Sequence, residues 1–171
     1  VNFNISNITM TPILADSTAT IKINGASVSN ESPYPLNLEV GSNITEIEVT
    51  AQNGNTIKIY KVTINRAEPV TVTYNGNGNT GGTVPIDTNQ YSLGENVMVM
   101  ENVGNLEKTG HHFLGWNTGV DGMGLHYPPG ANFPMGSQNI TLYAQWAINK
   151  YTISFNSNGG STVPDVSVNY E

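Results

Sequence analysis

The sequence predicts a mainly β protein built from two small modules and the opening of a third. Three observations carry that reading. Apolar and polar residues alternate over many short runs, the pattern of half-buried strands. Gly, Pro and Asn gather between those runs, where turns need residues that tolerate positive φ. The pattern that begins near Val72 begins again at Tyr151, so the chain repeats itself.

Composition narrows the function. Six Lys plus Arg face thirteen Asp plus Glu, a net charge of -7. That balance excludes a surface tracking nucleic-acid phosphates and disfavours anionic lipid. There is no Cys, so no disulfide scaffold forms. No run approaches the roughly 18 apolar residues of a membrane-spanning helix. The chain opens at Val1 without Met and reads as a segment of a longer protein, so the lack of a signal peptide carries no information on location.

The first segment, residues 1–67, reads as strands. In TIKINGASV (20–28), two alternating runs meet at Asn24-Gly25, the residues a two-residue hairpin turn requires. Ile47 and Val49 alternate with Glu46 and Glu48, giving one buried and one wet face. Asn53-Gly54 turns the chain again. Beyond it the apolar positions change phase between Ile59 and Tyr60, which predicts a bulge there or burial on both faces.

LADSTATIKINGASV (14–28) and LNLEVGSNITEIEVTAQNGNTIKIYKVTINRA (36–67) resemble the cadherin-like β-sandwich domain of bacterial surface proteins. The resemblance covers the back two-thirds of such a domain. It implies a truncated β-sandwich whose opening strands precede Val1 or come from another chain. No calcium cluster accompanies it, because Asp16, Glu31 and Glu39 are too scattered to cage a cation.

Residues 68–70 read as a linker, and 71–147 as the second module. Val70, Val72 and Tyr74 alternate with Thr71 and Thr73. NGNGNTGG (75–82) is a turn rather than a phosphate loop, since no Lys-Ser/Thr follows it. Val97 and Val99 alternate with Met98 and Met100, as in a strand; a short helix fits only Glu101–Lys108. Ile140, Leu142, Ala144 and Trp146 share one strand face, with Thr141, Tyr143 and Gln145 on the other.

GHHFLGW (110–116), DGMG (121–124), YPPG (127–130) and ITLYAQW (140–146) together resemble the Listeria–Bacteroides repeat, the internalin B-type repeat. That resemblance implies a β-grasp-like α+β repeat module over about 70–147. It also explains the restart. Ile153, Phe155, Thr162-Val163-Pro164 and Tyr170 echo Val72, Tyr74, Thr83-Val84-Pro85 and Tyr91, so 148–171 reads as the start of a second, incomplete repeat.

Candidate sites are few. His111, His112 and His126 invite a metal, but neighbours in a strand face opposite ways. Asp121-Gly122-Met123-Gly124 lacks the further acidic ligands of a calcium loop. Glu46 and Glu48 lie about 7 Å apart along one strand face. That spacing can mimic a glycosidase pair, but it is also ordinary for a wet face. Lys22, Lys58 and Lys61 lie in strands among many Asn residues, yet nothing selects an isopeptide pair. No nucleophile elbow occurs. Trp116 and Trp146 are expected in the core of so small a module. Tyr143, Tyr127 and His112 remain as the candidate ligand-contact surface.

The expected function is a non-catalytic spacer or stalk of an extracellular or cell-surface protein of a Gram-positive bacterium, with adhesion or protein contact as its added role. The alternative is a carbohydrate-binding accessory module. No cofactor is expected. The expected partner is a surface protein or a glycan, and the expected state is a monomer with strand exchange at the incomplete sandwich edge.

Overall fold

The structure, a computed structural model, describes residues 1–170, so the last residue of the predicted second repeat lies outside the described residues. The chain divides into two compact units at Pro69–Val70. The described residues form strands, turns and bridges, with no helix among them.

The first unit holds β1 (Asn7–Met10), β2 (Thr20–Ile23), β3 (Ala26–Val28), β4 (Tyr34–Asn37), β5 (Gly41–Thr50) and β6 (Ile57–Arg66). β1 pairs with β4, and β3-β2-β5-β6 form a four-stranded sheet. Asn24 and Gly25 close the β2–β3 hairpin with φ of 49° and 81°, the two positive values a tight hairpin turn needs. Both sheets contribute to the interior: Ile21 and Ile23 from β2 are buried, as are Leu36 from β4 and the adjacent Leu38. Arg66 ties this interior together by donating to the carbonyls of Phe3 (2.8 Å) and Leu38 (2.7 Å).

The phase change in β6 resolves differently from either expectation. β5 and β6 pair without interruption from Gly41–Arg66 to Thr50–Ile57, so there is no bulge. Nor are both faces buried, because Ile57, Ile59 and Tyr60 are all about half exposed. Tyr60 lies opposite Ile47 on the inward face, whereas Ile57 and Ile59 lie opposite Thr50 and Glu48 on the outward face. The strand outruns the core that would cover it.

The second unit holds β7 (Val72–Asn75), β8 (Asn96–Met98), β9 (His111–Asn117), β10 (His126–Tyr127), β11 (Asn132–Pro134), β12 (Ile140–Ile148), β13 (Lys150–Ile153) and β14 (Val166–Asn169). The main sheet runs β10-β9-β12-β7, with β7 and β12 parallel. β8 pairs with β11, and Val97 and Val99 turn inward while Met98 is exposed, as the alternation predicts. The mainly β reading holds, but the helical part of the α+β expectation is corrected. Residues 101–108 form a turn followed by two isolated bridges, in which the side chain of Asn102 bonds both the N–H and the carbonyl of Leu106 and Asn105 takes φ 49°. Asn and Gly at 102, 104 and 105 favour that arrangement over a helical turn.

β13 and β14 form a separate hairpin. Tyr151, Ile153, Phe155, Val166, Val168 and Tyr170 are all exposed on it. Their counterparts Val72, Tyr74 and Tyr91 are buried in the complete repeat.

Candidate functional site

The placement of the aromatic residues of the second unit decides between core and binding surface, and it follows from one irregularity. Strand alternation would send Phe113 and Trp116 to opposite faces. Both reach the core because the pairing with β12 jumps: Gln145 faces Gly115, and Trp146 faces Phe113. Leu114 is the extra residue and bulges outward, about half exposed. Gly115 makes the jump sterically acceptable. Its φ is 136°, and a Cβ there would lie 2.9 Å from the His126 ring and 3.0 Å from the Tyr127 carbonyl oxygen.

Trp116 is wholly buried. It sits edge-on to Tyr74 (4.7 Å between centroids) and Phe113 (5.2 Å), and Phe113 is edge-on to Trp146 at 5.6 Å. The indole N–H of Trp116 donates to the Met100 carbonyl at 2.9 Å, and the Met100 N–H donates to the Tyr74 hydroxyl at 2.8 Å. The Met100 backbone is thus held on both sides. Trp146 packs partly buried against the same core and donates to the Gly76 carbonyl at 3.0 Å. Both indoles therefore spend their ring and their N–H on the fold.

The three predicted contact residues do not converge. Tyr143 lies on β12 opposite Asn117, half-buried on the outward face. His112 is exposed on that face but pairs with Ala147, four residues further along β12 or about 13 Å away. Its Nδ1 lies 3.0 Å from the Asn149 side-chain oxygen. Tyr127 pairs with Trp116 and stacks on Phe133 at 4.7 Å, so it belongs to the core side.

The other candidates are engaged elsewhere. His111 and His112 pair with successive β12 residues and so face opposite ways, and His111 Nδ1 lies 2.8 Å from the Thr109 carbonyl. Among the described residues no three His, Asp or Glu side chains gather as metal ligands do. The Asp121 loop is organised by Asn117, which is 2% exposed. Asn117 donates to the carbonyls of Gly122 (3.1 Å) and Gly124 (3.3 Å) and accepts from the Gly119 N–H (2.8 Å), so two oxygens that could face a cation are already bonded. Glu48, partly exposed, pairs with Lys22 at 2.9 Å, and exposed Glu46 with Lys61 at 3.8 Å. Such pairs contribute at most about 1 kcal/mol each.

Three ionisable groups depart from ordinary behaviour. Burial, helped by the hydrogen bond Tyr91 donates to Asp87 (2.7 Å), pushes the Tyr91 phenol up to about 12. Burial also raises Tyr74, with the Asp87 charge adding to the effect. The hydroxyl and N–H of Thr18 hold the exposed Asp16 carboxyl below its usual range. Tyr91 and Tyr74 thus share the influence of the Asp87 carboxylate, while Asp16 answers to Thr18.

Sequence reasoning missed two features. The Met100 clamp has no local signature, since Tyr74, Met100 and Trp116 are far apart in the chain. The first unit also holds an open apolar hollow of about 660 Å³, lined by Leu14, Ile21, Ile47, Val49, Lys58 and Tyr60. The phase change at Ile59-Tyr60 was its one visible trace.

This arrangement is that of small β modules in series, with aromatic side chains serving as core. The model of the cadherin-like β-sandwich domain matches residues 1–67, and the model of the Listeria–Bacteroides repeat domain matches residues 71–145. The chain thus carries a cadherin-like β-sandwich domain followed by a Listeria–Bacteroides repeat. It is similar to two proteins of Evansella cellulosilytica. It is 43% identical over 99 residues to one named "Putative Gly-rich membrane protein", covering 58% of this chain and 11% of that protein. It is 40% identical over 83 residues to one named "Putative membrane protein", covering 48% of this chain and 12% of that protein. The chain therefore spans about a ninth of the length of these relatives. Among the described residues no helix is long and apolar enough to cross a membrane.

Proposed function

We propose that this chain is a spacer and display segment of a bacterial cell-surface protein, with no chemistry of its own and with adhesion arising through protein contact. One observation carries the reading: the indole groups that a ligand site would use are consumed by the core and by backbone carbonyls. The internal restart at Tyr151 supports it, because arrays of small units joined by few residues extend a surface protein outward. The names of the two relatives fit attachment at a cell envelope. Replaceability is the test. In a surface protein carrying this segment, exchanging residues 71–147 for an unrelated module of similar length preserves display and adhesion if the segment is a spacer. Loss of adhesion with display intact points instead to a specific ligand, and glycan-array binding abolished by Tyr143→Ala assigns it to carbohydrate.

The protein contact we assign is the free edge of β6. From Ile57 to Ile64 its outer backbone groups pair with no other described strand; Tyr60 lines the apolar hollow on the inward face, and Ile57 and Ile59 lie half-exposed on the outward face. An exposed edge of this kind accepts an added strand. The occupant is a second copy of this chain, exchanged at high concentration from a monomer at low concentration. Sedimentation should show concentration-dependent dimer that Ile59→Lys abolishes; a strict monomer at all concentrations excludes the assignment.

A further inference from the structure

The sequence contains five Asn-Gly steps, at residues 24, 53, 75, 77 and 158. This dipeptide is chemically labile. The glycine N–H can attack the preceding side-chain carbonyl, because no Cβ obstructs the approach. The geometry points to Asn158-Gly159 as a site of spontaneous deamidation, a self-modification from which the other four steps are held back by their hydrogen bonds.

An internal control sits in the same molecule. By the repeat, Asn77 and Asn158 occupy equivalent positions, and their turns share the same backbone features. Asn77 has φ 47° and Asn158 has φ 46°. The N–H of Asn77 donates to the Asn75 side-chain oxygen at 2.9 Å, and that of Asn158 to the Asn156 side-chain oxygen at 3.0 Å. The Asn79 N–H closes one turn onto the Gly76 carbonyl, and the Gly160 N–H closes the other onto the Ser157 carbonyl. Each is followed by a glycine with positive φ.

The side-chain amides differ. Nδ2 of Asn77 donates to the carbonyls of Val120 (3.0 Å) and Ala144 (2.9 Å), which fixes its carbonyl carbon away from the Gly78 nitrogen. The Asn158 side chain has no partner among the described residues and is exposed. Asn53 is held at its oxygen by the N–H groups of Asn55 and Thr56 and at its nitrogen by the Thr56 hydroxyl. The Asn24 oxygen accepts from the Glu46 N–H, and the tight β2–β3 turn restrains its backbone. Asn75 lies in β7, paired with Tyr143, and its oxygen holds the Asn77 N–H.

The chemistry balances without an oxidant or a second protein. The Gly159 nitrogen bonds to the Asn158 side-chain carbonyl carbon. The bond from that carbon to Nδ2 breaks, and Nδ2 leaves as ammonia with the proton lost from Gly159. Water then opens the five-membered imide at either carbonyl, leaving an aspartyl or isoaspartyl residue at position 158. The β13–β14 loop gains one negative charge, and in the isoaspartyl product its main chain gains one methylene.

The test follows amide loss in the full chain, incubated in mildly alkaline buffer, digested and mass-analysed peptide by peptide. Breaking each hydrogen bond on Asn77 costs about fivefold in population, so Asn158 should react about 25-fold faster than Asn77 in the folded protein. In urea the two rates should converge to within a few-fold, because each asparagine is followed directly by glycine. Equal rates in the folded protein overturn the proposal. So does earlier loss at Asn24 or Asn53, or a gap that survives unfolding.

Discussion

Trp116→Phe tests whether the indole is core or binding equipment. The substitution keeps a ring in place but removes the donor to the Met100 carbonyl. Leaving that acceptor buried and unpaired costs about 1–3 kcal/mol. The missing part of the indole opens roughly 40 Å³ in a site with no exposed surface, which adds about 1 kcal/mol. The expected loss is therefore about 2–4 kcal/mol. With a urea dependence of about 1–1.5 kcal/mol per molar, the midpoint should fall by about 2 M. Both tryptophans lie in the second unit, so the fluorescence of Trp146 reports that unit's unfolding in the variant. Tyr143→Ala on the outward face is the control, expected within about 1 kcal/mol of the parent. A Trp116→Phe midpoint within about 0.3 M of the parent would refute the reasoning, because a core indole cannot be cut back without cost.

Three further outcomes follow from the same geometry. Folding raises the Tyr91 phenol from 10.0 to about 12, so the folded state keeps a proton the unfolded state releases. That contribution is complete below pH 10, the ordinary phenol value, and should decline as pH rises from 10 towards 12, read as a falling melting temperature that Tyr91→Phe flattens. Asn117→Ala strips three hydrogen bonds from the Gly119–Gly124 loop; about 2–4 kcal/mol should be lost, with amide exchange accelerating in that loop first. Gly25→Ala meets no atom within 4 Å but must hold φ 81°. It should cost about 1–2 kcal/mol, seen in circular dichroism of the first unit while tryptophan fluorescence stays unchanged.

What the sequence made legible was local. Asn24-Gly25 between alternating runs announced its hairpin, and Leu142-Tyr143-Ala144-Gln145-Trp146 announced which side chains turn inward. The departures arose where a distant partner decides. Phe113 and Trp116 share a face only because Leu114 is squeezed out against β12, and alternation alone assigns them to opposite sides. Ile57 and Ile59 looked buried because β-branched apolar residues usually are, but burial depends on something lying over them. In the 101–108 segment the helix was what the family resemblance implied, and the Asn102 side chain captures Leu106 instead. Among the candidate contact residues, Tyr143 was placed correctly on the face opposite Trp146, but the separation of His112 and Tyr127 from it depended on register.

The parallel pairing of β7 with β12 has a mechanical consequence. The first and last strands of the repeat's main sheet in chain order lie side by side and point the same way, so the polypeptide comes in at one end of the sheet and goes out at the other. Tension applied through the chain ends must slide β12 along β7, straining the rungs Val72–Ile140 through Asn75–Tyr143 together instead of peeling them one at a time. A series of such links would resist traction by shear, every rung of each link loaded at once.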